Sequence, residues 1–116
     1  RAKGFAAGLL NIKPILTVEE GEITPYDKAR GTKALQEKMS AIILEKMEKC
    51  KKPLLYVAWG DDAMKELAGK VRENIAAEYG RPFQLFQGNV APTIGCHTGP
   101  ELFALAVTDL ALIEED

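Results

Sequence analysis

Residues 53–80 read PLLYVAWGDDAMKELAGKVRENIAAEYG, and this stretch decides the fold. Its first part, residues 54–59, is an unbroken apolar run with the length and β-rich character of a buried strand. Gly60 interrupts that run, Asp61 is a good helix N-cap, and apolar residues then recur at helical spacing until Gly80. We therefore predict a central strand in the middle of a sheet, followed directly by an amphipathic helix.

The segment upstream of this unit is predicted to form a short helical turn and a β-hairpin. The small, apolar residues 4–11 suit the turn, and residues 12–18 suit a strand that starts near Pro14. The polar residues 19–22 form a tight connection. Ile23 then begins a second, brief extended piece, as a hairpin requires.

A second amphipathic helix is predicted between the hairpin and the central strand. Thr24, Pro25 and Asp27 form one candidate start for this helix. Thr32 offers another candidate cap, and Pro53 is expected to stop the helix. The buried face is the set of apolar residues that recur at helical spacing: Leu35, Met39, Ile42, Ile43, Met47 and Cys50.

Two further strands are predicted on the C-terminal side. The alternation at residues 83–85 indicates a half-buried or edge strand, and residues 102–107 form another apolar run. Between them, residues 90–100 form a loop with several small or turn-forming residues. Alternating strands and helices in 116 residues indicate one domain, residues 1–116, with an α/β (α+β) fold. We expect a two-layer sandwich, in which amphipathic helices lie on one face of a mixed, largely antiparallel sheet.

The composition argues against several classes of protein. A chain that is 47% hydrophobic and 28% charged is typical of a globular domain, and a formal net charge of -2 provides no field that would attract nucleic acid. No apolar run is long enough to span a membrane, and no basic segment leads into an apolar stretch at the start. Cys50 and Cys96 are too few for a disulfide framework. We expect free thiols and a cytoplasmic location.

Residues 93–100, TIGCHTGP, are the most unusual stretch and form the candidate ligand site. The His97 imidazole and the Thr98 hydroxyl can donate hydrogen bonds to a carboxylate, and the flanking glycines allow a ligand to approach the backbone. This chemistry suits a small anion. The alternative is that His97, the single histidine of the chain, is a satisfied structural residue.

The residues do not assemble into a catalytic site. His97 has no second histidine as a partner, and the adjacent Cys96 is expected to point away from it. Carboxylates are spread along helix faces and turns, and neither a phosphate-binding glycine motif nor zinc-ligand cysteine spacing occurs. We therefore predict a protein that is not an enzyme and that needs neither a cofactor nor a metal.

Three segments together resemble the DegV family: LLNIKPIL at residues 9–16, KARG at residues 28–31 and IGCHTGP at residues 94–100. The resemblance implies a protein of two lobes, in which this chain is similar to the C-terminal lobe and the N-terminal lobe is absent. It also implies that a long-chain fatty acid binds in a tunnel. The carboxyl group of that fatty acid is then presented to a separate fatty-acid kinase.

The resemblance also implies roles for individual residues. His97, together with Thr98, would hydrogen-bond the fatty-acid carboxylate, and Arg30 would lie on the side that faces the kinase or its phosphate. Glu101 departs from the family pattern, which usually has a glycine here, and a carboxylate at this position would repel an acid headgroup. This departure keeps a second interpretation open, a regulatory or protein-interaction module whose lipid site has decayed.

Overall fold

The structure, a computed structural model, describes residues 12–89 and 102–114. The helical turn predicted at residues 4–11 and the loop predicted at residues 90–100 lie outside the described residues. The described elements, in chain order, are β1 (Ile12–Glu19), β2 (Glu22–Arg30), α1 (Thr32–Glu48), β3 (Pro53–Trp59), α2 (Asp62–Tyr79), β4 (Gln84–Asn89), β5 (Phe103–Asp109) and α3 (Leu110–Glu114). They divide into two compact units, with the boundary between Lys38 and Met39.

The N-terminal unit contains the predicted hairpin. β1 and β2 pair antiparallel along their whole length, up to Glu19 opposite Glu22 at the turn. The two-residue connection, Glu20 and Gly21, has positive φ at both positions (52° and 82°), which is the geometry of a type I′ turn. Such a turn matches the twist of paired strands, and Gly21 adopts the required backbone without steric cost. The hairpin prediction is confirmed.

The second strand is longer than the brief piece predicted from the sequence. Thr24, Pro25 and Asp27, which we expected at the start of a helix, lie within β2 instead. The register between the strands shifts beside Pro25, and such a bulge is one of the few places where a strand tolerates proline. This predicted helix start is therefore wrong, because pairing with β1 continues through it.

Helix α1 begins at Thr32 and ends at Glu48. Its first hydrogen bond runs from the Leu35 N–H to the Gly31 carbonyl (3.1 Å), so Gly31 occupies the N-cap position that we predicted for Thr32. The predicted stop at Pro53 is also wrong, since this proline is the first residue of β3. The last turn of the helix tightens into hydrogen bonds between residues three apart, which end the helix before the proline.

The C-terminal unit is built on a three-stranded sheet with the order β4-β3-β5. β3 pairs parallel with β4 and antiparallel with β5. The predicted apolar run is therefore the central strand, and β4 is an edge strand, as the sequence indicated. The described strands form this sheet and the separate β1–β2 hairpin, where the sequence predicted a single sheet.

One face of the three-stranded sheet is buried beneath helices. Alternate residues of the central strand, Leu55 and Val57, point to this face and are almost completely buried. They pack with side chains from both longer helices: Ile43, Met47, Ala68, Val71, Ile75 and Tyr79. Burial of each large apolar side chain contributes roughly 1.5–3 kcal/mol, so this cluster dominates the stability of the unit. The fold is α+β, as predicted.

Helix α2 is capped at both ends as the sequence predicted. The Asp61 carboxylate accepts a hydrogen bond from the Met64 N–H (2.8 Å). At the other end, Gly80 takes a left-handed backbone (φ 65°) and donates its N–H to the Ala76 carbonyl. The helix starts just after β3 ends, so its first turn lies beside the carboxyl ends of β3 and β4.

Candidate functional site

The predicted ligand loop leaves and rejoins the three-stranded sheet at one end. Asn89, the last residue of β4, and Phe103, the first residue of β5, both pair with Trp59 at the end of β3. The Gly60 N–H also donates to the Leu102 carbonyl (2.9 Å). Because neighbouring strands lie about 4.8 Å apart, the two attachment points are about 10 Å from each other, one on each side of Trp59.

The predicted site residues His97 and Thr98 lie outside the described residues, as do Cys96 and Glu101. Their roles therefore stay predictions. The structure determines where their loop is attached, which is the carboxyl end of the parallel strands β3 and β4. Ligands commonly bind beside this edge in sheets with parallel strands, because the loops that follow the strands gather there.

A polar groove of about 530 Å³ lies beside this end of the sheet, on the face that α2 covers. Trp59, which packs against the core cluster, and Gln87 form its sheet side. The Lys65 ammonium lies 5.6 Å from the centre of the Trp59 ring, and the Arg72 guanidinium donates to the Gln87 side chain (2.7 Å). The charged residues of the groove are balanced in sign: Asp62, Lys65, Glu66, Lys70, Arg72 and Glu73. Balanced charge gives the groove no preference for an anion or a cation.

The opposite face of the same sheet is apolar, and its side chains are partly open to solvent. Tyr56 points to this face because it alternates with the buried residues of β3, and Phe86 of β4 lies opposite Tyr56 in the register. Their rings form a tilted pair with centroids 6.0 Å apart, and Phe86 is 67% exposed. An exposed aromatic pair on a sheet face indicates a surface that contacts another apolar group.

Small residues form the part of this face that lies toward the ligand loop, while Leu54, Gln84 and Thr108 form the row beyond Tyr56. Ala58 pairs with Gly88 on one side and with Ala104 on the other, and Ala106 lies opposite Tyr56. The row that contains Ala58 is one step from the sheet end where the ligand loop is attached. We call the surface made by Tyr56, Phe86 and these small residues the open sheet face. Its side chains are small beside the loop and aromatic further from it.

Arg30, the predicted partner contact, is the exposed last residue of β2. It lines a pocket of about 290 Å³ in the N-terminal unit with Ile12, Asp27, Lys28, Ala29 and Lys38. The Lys38 ammonium bonds to the Asp27 carboxylate (3.3 Å) and to the Lys28 carbonyl (2.6 Å). The hydrogen bond from the Lys28 N–H, followed by the bond from Lys38, lowers the pKa of Asp27. Three cations close to one ionised carboxylate leave this pocket with an excess of positive charge.

The sequence did not single out Asp109, yet its carboxylate holds the segment before β3. It accepts hydrogen bonds from the backbone N–H groups of Lys52 (3.0 Å), Lys51 (3.1 Å) and Ala111 (3.1 Å). These bonds, with that from Lys52 the largest, lower the pKa of Asp109. Burial, and the nearby Asp109 charge, raise the pKa of the Cys50 thiol, which makes this thiol less reactive. One feature could have identified Asp109, because an aspartate directly before a helix commonly accepts hydrogen bonds from backbone N–H groups.

Sequence reasoning also missed the open sheet face, because unbroken apolar runs predict buried strands. The signal that could have found it is the small size of alternate residues, Ala104 and Ala106, in the last strand. Within residues 12–89 and 102–114, no three His, Cys, Asp or Glu side chains come together in a way that could hold a metal ion. Among the helices that the structure describes, none combines the length and apolar character needed to cross a membrane.

Fold and site together define an α+β domain with helices on one sheet face and an open apolar surface on the other, beside the attachment of a glycine-containing loop. A family model described as "Uncharacterised protein, DegV family" matches residues 1–109. The chain therefore belongs to the DegV family, as the three sequence motifs predicted.

Curated bacterial relatives agree with this assignment. A DegV domain-containing protein of Streptococcus pneumoniae is 26% identical over 109 residues. DegV domain-containing proteins of Clostridium perfringens and Clostridium acetobutylicum are each 30% identical, over 111 and 113 residues. Each match covers 92% of this chain, and the chain spans 37% of the relatives' own length. It is therefore similar to one part of a longer protein.

Proposed function

We propose that the protein to which this chain belongs binds a long-chain fatty acid and presents its carboxyl group to a fatty-acid kinase. One observation carries the proposal: the open sheet face leads to the end of the sheet at which the loop containing His97 is attached. An apolar surface that ends at a set of carboxylate donors matches the two parts of a fatty acid. Family membership supports the proposal, because the DegV family is associated with fatty-acid binding.

The acyl chain lies along the open sheet face in this proposal. Ala58, Gly88 and Ala104 leave room for it beside the loop, and the Tyr56–Phe86 pair packs against its more distant part. Each methylene removed from water contributes roughly 0.8 kcal/mol, so about eight methylenes would contribute about 6 kcal/mol before the entropic cost of binding. The N-terminal DegV lobe closes the other side of the tunnel.

The carboxyl group is held by His97 and Thr98. An imidazole N–H and a hydroxyl can donate to a carboxylate while leaving one of its oxygens accessible to the kinase. Phosphoryl transfer belongs to the kinase, so this protein acts as a carrier and not as an enzyme. Arg30 contacts the kinase or its phosphate, because the positive charge around its pocket suits an anionic group. The proposal includes a cytoplasmic location, because a free thiol such as that of Cys50 suits a reducing compartment.

A second candidate function is a regulatory or protein-interaction module whose lipid site has decayed. The presence of Glu101 four residues after His97 favours it. A carboxylate close to the headgroup site would repel the fatty-acid carboxylate, and at an effective dielectric near 20 two unit charges about 4 Å apart repel by about 4 kcal/mol. The two functions therefore differ in a measurable quantity, the affinity for a fatty acid.

The test is the uptake of palmitate by the delipidated full-length protein, measured by native mass spectrometry and by titration. We expect the wild type to take up one palmitate. The variant His97→Ala should bind it about 10- to 100-fold more weakly, because it loses a hydrogen bond to a charged group. His97→Gln, which keeps an N–H donor, is the matched control and should retain most of the affinity. Absence of uptake by the wild type would overturn the carrier function.

Two further variants separate the candidate functions. If the site has decayed, Glu101→Gly should gain palmitate binding that the wild type lacks. If the protein is a carrier, Arg30→Ala should bind palmitate normally but support less acyl phosphate formation by the kinase. Lys33→Ala is the control for the latter, since Lys33 is also an exposed cation and lies just beyond the end of β2.

A further inference from the structure

The hairpin of the N-terminal unit carries a second exposed apolar surface, which the fatty-acid proposal does not use. Leu16, Val18 and Ile23 are 55%, 68% and 62% exposed. Pro25 pairs with Leu16, and Ile23 pairs with Val18, so these side chains share one face of the hairpin. We call these four residues the hairpin strip. Tyr26, at the bulge, is also exposed.

The two faces of the hairpin differ in burial. Ile15 and Ala29, which alternate with the residues of the strip's face, are both buried. A two-stranded ribbon is only marginally stable by itself, so burial of this inner face is needed to hold it. The strip receives no such cover from the described residues. Large apolar side chains grouped on one exposed face indicate an interaction surface.

Charged residues of opposite sign lie at the two ends of the strip. Glu20 and Glu22 are exposed at the turn. Lys28 and Arg30 are exposed at the open end of the hairpin, on the strip's own face according to the register. Along the hairpin the surface is therefore acidic, then apolar, then basic. Two such surfaces attract each other in an antiparallel arrangement and repel each other in a parallel one.

We propose that the hairpin strip binds a second copy of this chain about a twofold axis. A twofold interface requires a self-complementary surface, which this order of charges provides. With the axis at Leu16, the turn that holds Glu20 in one copy lies over the open end of the hairpin, at Ile12, in the other. Ile12 pairs with Arg30, so each Glu20 meets the Arg30 of its partner, about 13 Å from the axis.

A membrane surface suits this strip less well than a second copy does. The glutamates at the turn would be the first groups to approach anionic headgroups, and their charge would oppose binding. The self-association proposed here uses neither the open sheet face nor the loop that contains His97, so it is independent of fatty-acid binding, although it shares Arg30 with the proposed kinase contact. Either proposal can fail while the other holds.

Sedimentation velocity of the delipidated full-length protein, at rising micromolar concentration, tests the proposal. The wild type should form a dimer, and Val18→Lys should weaken it at least about tenfold. Leu112→Lys is the matched control, because Leu112 is equally exposed but lies in α3. Glu20→Arg and Arg30→Glu should each weaken the dimer. A chain that carries both changes should regain it, since each altered residue then meets the opposite charge on its partner.

A monomeric wild type at all concentrations would overturn the proposal, as would a double variant no better than the single ones. If Val18→Lys lowers the melting temperature of a monomer, the strip is covered by another part of its own chain. If Val18→Lys loses binding to the kinase while the wild type stays monomeric, the strip belongs to a different protein. Palmitate uptake by Val18→Lys, measured in parallel, should equal that of the wild type and shows that the variant is folded.

Discussion

Replacing Ala104 by leucine should obstruct the open sheet face where it meets the ligand loop. Ala104 is exposed and pairs with Ala58, one residue from the end of the sheet. A leucine side chain there would take the space of about three acyl methylenes. At roughly 0.8 kcal/mol each, the loss is about 2.4 kcal/mol, or about a 50-fold rise in Kd. The free energy of unfolding should change by less than about 0.5 kcal/mol, because the position is exposed.

The assay is titration of the delipidated full-length protein with a fluorescent fatty acid, combined with a urea unfolding curve. Ala77→Leu is the control, because Ala77 is also exposed but lies on α2. We expect Ala104→Leu alone to lose affinity, with both variants as stable as the wild type. Suppose instead that Ala104→Leu binds normally while His97→Ala binds weakly. The acyl chain would then leave the headgroup site by another path, and the assignment of the open sheet face would be refuted.

Three further predictions concern stability. Ser40→Ala should raise the free energy of unfolding by about 1 kcal/mol, because the Ser40 hydroxyl is buried without a partner among the described residues. Urea unfolding measures this change, and a loss of stability would mean that the hydroxyl has a partner elsewhere. Gly69→Ala should stabilise α2 by up to about 1 kcal/mol, since a Cβ at this position meets only the Arg72 guanidinium at 3.7 Å. A drop in melting temperature would show that the added methyl group does not fit beside Arg72 in the groove. Folding lowers the pKa of Asp109, so the ionised carboxylate stabilises the fold. This stabilisation is fully present above the unfolded pKa of about 3.9, and it is lost as the pH falls through the lower pKa of the folded state. Urea midpoints of the wild type and Asp109→Asn should therefore differ at pH 6 and converge in strong acid, and a difference independent of pH would contradict the assignment.

Elements with local signals at both ends could be predicted from the sequence. Helix α2 is the clearest example, because Asp61 and Gly80 cap it in the structure as the sequence indicated. The central strand was equally predictable, since an apolar run bounded by Pro53 and Gly60 has few alternatives. The type I′ turn was accessible as a tight polar connection between two extended pieces, with Gly21 at one of the positions that need positive φ.

Strand β2 shows why other elements could not be predicted in this way. Thr24, Pro25 and Asp27 form a local capping pattern, and a cap contributes about 1 kcal/mol. In the structure these residues instead continue the ladder with β1, which extends over nine residues of β2 and includes a bulge. Many backbone hydrogen bonds to a partner strand outweigh one cap, but the partner's register is not visible within the segment itself.

For the candidate site, the motif around His97 predicted the family, and the match over residues 1–109 confirms it. The headgroup roles of His97 and Thr98 stay predictions, because both residues lie outside the described part of the chain. The position of Arg30 at the end of β2, in a pocket with an excess of cations, could not be derived from spacing alone. The excess of positive charge in this pocket depends on Lys38, a residue of α1 that bonds to the Lys28 carbonyl of the hairpin.

The sequence by itself determined the alternation of strands and helices, the caps of α2 and membership of the DegV family, because these depend on neighbouring residues and short motifs. Only the tertiary structure decided which side of each strand is covered. Leu55 and Tyr56 are adjacent in one apolar run, yet one is buried under helices and the other lies on the open sheet face. In the hairpin, likewise, Ile15 is buried while the adjacent Leu16 is exposed. The physical reason is that burial depends on what packs against a residue, and the packing partners come from distant parts of the chain.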